Sequence, residues 1–382
     1  MRKVFVVFMM IVIVLSISTV GFAYRQAMIP EEYQLTLYRG RVLGVEEVTL
    51  EGFGNSDASF LTQVADVKIL NKEYRGEIVE ITNTLSGDSL YDIELKRGDV
   101  VSVYLYEGHT GESAFYLMGY ENSGYMLQMI GIFLLFLVII GGWKGVRAIV
   151  SLSVIIALII YVMVPMLLAG YNAILIAFGI CAVATMLTLI IISGWNKKTQ
   201  AAIVGTVGGI IVSSIIAYIY GTLTRLTGLS SGDAQMLLYL PQDVQFDFRG
   251  LLFAGILIGA LGAVMDVSVS IASALNELSE STPELPFKKI FKYGMAIGKD
   301  IMGTMTNTLI LAYTGTSLPI ILVFIGFQKT IDEIVNLHSI VVEIVRALAG
   351  SMGLLFAIPI TVVSYALLNK RQKSEKVMQL DS

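Results

Sequence analysis

The sequence predicts a polytopic α-helical membrane protein with about seven transmembrane helices, preceded by a signal or anchor segment and a small extracytoplasmic all-β domain. Two observations predict this architecture. The 382 residues are 55% hydrophobic and only 15% charged, with a mean hydropathy of +0.75, whereas soluble domains are about 45–50% apolar and 25% charged. After position 125, apolar residues also cluster in segments of about twenty, the length that crosses the hydrocarbon core of a bilayer.

Residues 1–23 have the pattern of an export signal. A basic pair at positions 2 and 3 precedes an apolar run, and the small residues Gly21 and Ala23 suit a cleavage site before Tyr24. An uncleaved anchor helix is the alternative. With either, residues 24–124 are expected outside the cytoplasm.

Residues 24–124 predict an acidic β-rich domain. This segment holds 17 of the 30 acidic residues against 8 Lys or Arg, and the acidic charge argues against a nucleic-acid partner. Its aromatic residues fit the core of a barrel, with a binding face as the alternative. Alternating apolar residues between turn signals predict strands and an OB-like or other small barrel; the strands are Gln34 to Val45, Phe60 to Ile69, Gly76 to Thr82 and Val100 to Tyr106.

Residues 125–368 predict a transmembrane helix bundle, followed by a cytoplasmic tail at 369–382. The predicted helices are 125–142, 147–165, 171–193, 201–221, 250–275, 300–326 and 345–368. With the acidic domain outside, twelve Lys or Arg fall on the cytoplasmic side after Tyr125 and four on the opposite side. This bias follows the positive-inside rule and predicts a multi-pass protein of the bacterial cytoplasmic membrane with its carboxyl terminus in the cytoplasm.

The fifth predicted helix contains a carboxylate in its apolar stretch. Asp266 lies within the apolar stretch 250–274, and an ionisable residue at membrane depth is costly enough to suggest a functional site. Ser270 follows on the same helical face. Gly255 and Gly259 repeat at the four-residue spacing that allows close helix packing.

The fourth predicted helix contains the same small-residue spacing at Gly205 and Gly209. These glycines predict a contact either with the Gly255 and Gly259 face or with a second copy of the chain. The sequence leaves both open.

The sixth predicted helix carries a second polar face followed by a breaker. Thr304, Asn307 and Thr308 share that face, and Tyr313 leads into a segment that ends at Pro319. Proline removes an amide donor and kinks a helix, and transporters use such breaks to bind ions and substrates. A simple proline kink, with hydroxyls bonded back to their own helix, is the alternative.

Two segments carry a family resemblance: GALGAVMDVSVSIASALNEL at 259–278 and KDIMGTMTNTLILAYTGTSLP at 299–319. Both resemble signature segments of the YibE/F family of bacterial multi-pass membrane proteins. The similarity extends to YRGRV at 38–42, YRGEIVEITNTLSG at 74–87 and KRGDVVSVYL at 96–105. The resemblance implies an architecture and a membrane location, and it implies no substrate, cofactor or catalytic residue.

The residues favour a permease or ion-coupled transporter with a polar site between the fifth and sixth helices. Candidate ligands are a cation or a small solute, and other expected partners are membrane lipids and a second copy of the chain. A non-transporting assembly or sensory protein, whose external domain binds a ligand or partner, is the alternative. An intramembrane enzyme is disfavoured because the chain has no nucleophile, zinc or phosphate-binding motif. We therefore expect no cofactor and no metal site. The transport or ion-binding candidates are Asp266, Ser270, Thr304, Asn307, Thr308 and Tyr313.

Overall fold

The computed structural model describes residues 36–51, 59–85, 92–107, 113–239, 246–282 and 285–380. The predicted signal or anchor segment at 1–23 lies outside the described residues. The chain divides into two compact units, one within Gln26–Ile139 and the other within Ile140–Ser382.

The first unit contains a five-stranded antiparallel sheet that curves into a half-barrel. The strand order is β3-β2-β1-β4-β5, so the long first strand lies at the centre and pairs with both β2 and β4. The strands are β1 (Thr36–Glu51), β2 (Ser59–Ile69), β3 (Ile78–Leu85), β4 (Val100–Glu107) and β5 (Ser113–Tyr120).

Apolar residues on the concave face of the sheet form its core. Tyr38 makes edge-to-face contacts with Tyr74 and Phe115, at centroid distances of 5.5 and 5.7 Å. The buried Gln63 accepts a hydrogen bond from the Leu95 amide at 2.8 Å. The residues just before β4 form no strand, so the sheet offers the buried Leu95 amide no partner. The Gln63 side chain supplies the partner that a buried backbone group needs.

The convex face of β4 and β5 carries aromatic side chains on the surface. Tyr104 stacks on Tyr116 with a centroid distance of 5.6 Å, and Tyr106 and Tyr116 are exposed. The aromatic residues of this domain thus divide between core and surface.

The helices supply six segments long and apolar enough to cross a membrane, and a bent pair supplies a seventh, among the described residues. The prediction of a polytopic helical protein with about seven spans and a β domain is confirmed. The helices are α1 (Ser123–Gly141), α2 (Trp143–Leu168), α3 (Ala173–Ser193), α4 (Lys197–Leu223), α5 (Gly232–Met236), α6 (Phe248–Ser281), α7 (Phe287–Thr316), α8 (Leu318–Gly326), α9 (Ile331–Val335) and α10 (His338–Leu380).

Several elements differ from the sequence-based bounds. Strand β5 has no predicted counterpart. Helix α7 begins at Phe287 rather than at residue 300, and α10 begins at His338 rather than at residue 345. The lysines that precede the apolar part of α7 lowered its hydropathy without breaking the helix, because Lys is a good helix former.

Glycines allow α4 and α10 to cross at very close range. A Cβ built on Gly209 would lie 2.7 Å from the Gly353 carbonyl oxygen, and one on Gly353 would lie 2.8 Å from the Gly209 oxygen. Helix α6 packs beside this crossing, with Val264 and Ser268 fully buried. The bundle core therefore forms around α4, α6 and α10, as small residues at helix contacts allow.

Candidate functional site

The bent span formed by α7 and α8 breaks at Ser317. Helix α7 ends at Thr316 and α8 begins at Leu318, and their axes are bent by 59°. Pro319 lies in the first turn of α8, where its missing N–H is tolerated and its ring prevents α7 from continuing. The Ser317 amide bonds back to the Tyr313 and Thr314 carbonyls at 3.2 Å, which closes the end of α7.

A cavity of about 570 Å³, with both polar and apolar lining residues, opens at this break. We call it the break pocket. Its walls come from α5 and the segment before it, the first turns of α6, the α7 to α8 break and the beginning of α10. Its polar lining residues are Ser230, Ser231, Asp233, Thr316, Ser317, Ser339, Glu343 and Arg346, and Gly255 contributes the α6 wall.

An ion pair lies in the wall of the break pocket. Arg346 Nη1 donates to Glu343 Oε1 at 2.8 Å, and the two side chains are only 28% and 25% exposed. The second carboxylate oxygen of Glu343 is buried and has no hydrogen-bond partner within the described part of the chain. A buried acceptor without a partner costs about 1–3 kcal/mol, so this oxygen is available to a ligand.

Tyr313 reaches from α7 to α6 beside this ion pair. Its hydroxyl lies 2.6 Å from the position that a Cβ on Gly259 would occupy. The hydroxyl is buried and has no hydrogen-bond partner among the described residues. A smaller cavity of about 250 Å³ is lined by Tyr313, Ser317 and Glu343. The break thus brings a phenol, a hydroxyl and an ion pair together.

Asp266 lies on an open face of α6. Asp266, Ser270 and Gly262 are exposed on this face, and a Cβ on Gly255 or Gly262 would have nothing within 4 Å. In the residues that the structure describes, Asp266 makes no hydrogen bond or ion pair. We call this face, from Gly255 through Gly259 and Gly262 to Asp266 and Ser270, the α6 stripe.

Two threonine side chains on the polar face of α7 bond within their own helix. Thr304, Asn307 and Thr308 are exposed, and the two threonine hydroxyls donate to carbonyls of their own helix at 2.9 Å. No hydrogen bond or ion pair between described residues joins Asp266 or Ser270 to any of these three. Among the predicted site residues of α7, Tyr313 is the one that the structure places against α6, where its hydroxyl lies over Gly259.

The predicted packing glycines have different surroundings. Gly205 and Gly209 are buried against α10 and α6, near Thr361 and Gly353, whereas Gly255 borders the break pocket.

Within the described ranges, no group of three His, Cys, Asp or Glu side chains stands close enough to hold a metal ion.

Two family models cover most of the chain. A model described as YibE/F-like protein matches residues 129–371, and one described as YibE/F family N-terminal domain matches residues 37–120. The chain belongs to the YibE/F family. No curated protein and no solved structure matches it. The apolar helices of this YibE/F protein make it an integral membrane protein.

Sequence reasoning missed the ion pair of this YibE/F protein. The charge distribution uses Arg346 only as one of the four basic residues expected outside the cytoplasm, and Glu343 lies just before the seventh predicted helix, which begins at residue 345. A signal was present: a Glu and an Arg three residues apart, at the beginning of an apolar stretch, share one helical face and can neutralise each other.

Proposed function

We propose that this YibE/F protein is a permease or ion-coupled transporter whose pathway follows the α6 stripe. One observation carries the proposal. A single face of α6 runs from the break pocket, at Gly255, to the carboxylate of Asp266, and the Tyr313 hydroxyl lies over Gly259 between them.

The distances along α6 suit a membrane pathway. Gly255 and Asp266 are eleven residues apart, or about 16 Å along a helix at 1.5 Å per residue. This is about half the thickness of a hydrocarbon core. The break pocket therefore serves as an entrance at one membrane surface, and Asp266 serves as a site near the middle.

Tyr313 has the role of a barrier in this pathway. Its side chain fills the space above Gly259, four residues before the break at Ser317. A bend between α7 and α8 can change without unfolding either helix, because movements concentrate at a few residues at element ends. A change in the bend that moves α7 withdraws the hydroxyl from the α6 stripe.

Asp266 has the role of the coupling site. A charged carboxylate facing lipid is costly, so Asp266 takes up a proton or a cation, faces water, or is covered by a second copy of the chain. Neutralisation by a cation or proton is the event that couples solute movement to an ion gradient. With the orientation that the lysine distribution predicts, the break pocket opens to the extracytoplasmic side.

The test is flux through the full chain reconstituted in lipid vesicles. Protons, monovalent cations and small polar solutes are offered from outside, and Asp266→Asn is compared with Asp332→Asn, a control carboxylate that is exposed on α9. We expect flux in the wild type and in the control, and its loss in Asp266→Asn with folding retained. Equal flux in both variants would remove Asp266 from the mechanism.

A second candidate function rests on the β domain. The exposed Tyr106 and Tyr116, beside Tyr104, form an aromatic surface suited to binding a ligand or partner. A sensory or assembly protein would use this surface, with the helices as an anchor. Absence of flux for every probe in the vesicle experiment favours this function over transport.

A further inference from the structure

The break pocket contains charges of both signs. Arg346 supplies one positive charge, and Glu343 and Asp233 supply two negative charges. Hydroxyl groups from the short loop before α5, from the α7 to α8 break and from the first turn of α10 make up the rest of its polar lining. The identity of the ligand rests on the proposed function, and the charges and hydroxyls of the break pocket restrict the chemical class of that ligand.

The positive part of the pocket suits a carboxylate. A guanidinium has five N–H donors, and the described hydrogen bonds of Arg346 use one of its nitrogens, towards Glu343. The remaining donors have the planar arrangement that binds a carboxylate through two bonds.

The negative part of the pocket suits an ammonium group. Glu343 Oε2 is a buried acceptor without a partner among the described residues. Asp233 on α5 also lines the pocket, and it is exposed. An ammonium group has three donors and can bond to a carboxylate and to neighbouring hydroxyls together.

Charge balance separates three classes of ligand. A simple anion pairs with Arg346 but leaves Glu343 and Asp233 without a counter-charge. A simple cation pairs with the carboxylates but is repelled by Arg346. A zwitterion adds no net charge and pairs with both groups, so it avoids the cost of an unpaired charge in a half-buried site.

We propose that the break pocket binds a small zwitterion of the amino-acid class, with its carboxylate on Arg346 and its ammonium on Glu343. A cavity of about 570 Å³ is within the range of sites that hold small molecules. It leaves space for a side chain and for water. Tyr313 and Ser317 lie beyond the ion pair, where they meet the ligand as it leaves the pocket.

The test is binding to the purified full chain in lipid nanodiscs, measured by thermal stabilisation and by radioligand binding. The probes are glycine, L-alanine, L-serine and L-glutamine. Lactate and isopropylamine are the controls, because lactate has a hydroxyl in place of the ammonium group of alanine and isopropylamine has a methyl group in place of its carboxylate. We expect at least one amino acid to bind, and both controls to bind at least about tenfold more weakly.

The variants Arg346→Gln and Glu343→Gln should each weaken binding at least about tenfold. The matched control is the exposed pair at the beginning of α9, where Lys329→Gln and Glu333→Gln should leave binding unchanged. If a single variant does not fold, the double variant Glu343→Gln with Arg346→Gln leaves no unpaired charge and should fold without binding.

The outcomes separate the ligand from the function. Binding of an amino acid without flux supports the zwitterion site and overturns the permease. Flux of other solutes without amino-acid binding overturns the zwitterion site alone. Equal binding of alanine, lactate and isopropylamine, or full binding by the double variant, also overturns the site.

Discussion

Replacing Gly209 with alanine tests the close crossing of α4 and α10. The new Cβ would lie 2.7 Å from the Gly353 carbonyl oxygen, 2.7 Å from Val264 Cγ1 and 2.9 Å from Ala357 Cβ. These atoms belong to two different helices, and one of them is a backbone atom. No single side-chain rotation relieves all three contacts, so the helices must move apart.

The expected loss of stability follows from these distances. Ordinary contact begins near 3.4 Å, so the separation must grow by 3.4 − 2.7 = 0.7 Å. Overpacking of this kind costs about 1–3 kcal/mol. Alanine regains at most about 1 kcal/mol of helix propensity, and less where the unfolded state remains helical in detergent. We expect a net destabilisation of about 1–2 kcal/mol.

Gly255→Ala is the matched control, because its Cβ would have nothing within 4 Å. Both variants are unfolded in mixed micelles with increasing denaturing detergent, and tryptophan fluorescence reports the midpoint. Gly209→Ala should unfold first, with Gly255→Ala at or above the wild type. A Gly209→Ala variant as stable as the control would show that the crossing is looser than described.

Two further predictions concern Tyr313 and Glu121. Gly259→Ala forces the Tyr313 hydroxyl to move, because the Cβ would lie 2.6 Å from it; a thiol reagent should then label a cysteine at position 262 faster, in a chain lacking Cys181. Unchanged labelling, equal to that with Gly255→Ala, contradicts the barrier role. Hydrogen bonds, first from Ser102 and then from Ser123, hold the pKa of Glu121 below its ordinary value of 4.5. A lowered pKa in the folded state adds stability above pH 4.5 that is lost as the pH falls through the folded pKa. Glu121→Gln should therefore be less stable than the wild type at neutral pH, and this difference should shrink in acid when thermal unfolding is followed by circular dichroism. A difference independent of pH would contradict the prediction.

Hydropathy predicts most of the fold, because the length of an apolar segment is enough to identify a helix that crosses a membrane. It failed where polar residues extend a helix beyond the hydrocarbon, as at the lysine-rich beginning of α7. Strand β5 was missed because the eight residues from Ser113 to Tyr120 are a short apolar run without clear alternation. The signal that could have found it is the pair Gly108 and Gly111, which separates it from β4 as the turn of a hairpin does.

The candidate site was only partly predictable. Asp266 stood out because a charge in an apolar stretch needs no structure to be recognised, and the break near Pro319 followed from proline chemistry. The pairing of Glu343 with Arg346, and their convergence with Tyr313, depends on how α6, α7 and α10 pack. Periodicity assigns residues to a helical face, but it does not say which neighbour that face meets.

The crossing with α4 divides helix α10 into two arms of unequal length. The 43 residues of α10 extend for about 65 Å. The contact between Gly353 and Gly209 is the point about which the helix would tilt, or its fulcrum. Glu343 lies ten residues from that point on one arm, and Asn369, which accepts a hydrogen bond from Lys197, lies sixteen residues away on the other. A tilt of α10 about the crossing displaces the far end in the opposite direction and about 1.6 times as far, from arms of about 15 and 24 Å. Pro359 lies on the longer arm, six residues from the fulcrum, and its missing hydrogen bond makes that arm easier to bend than the shorter one.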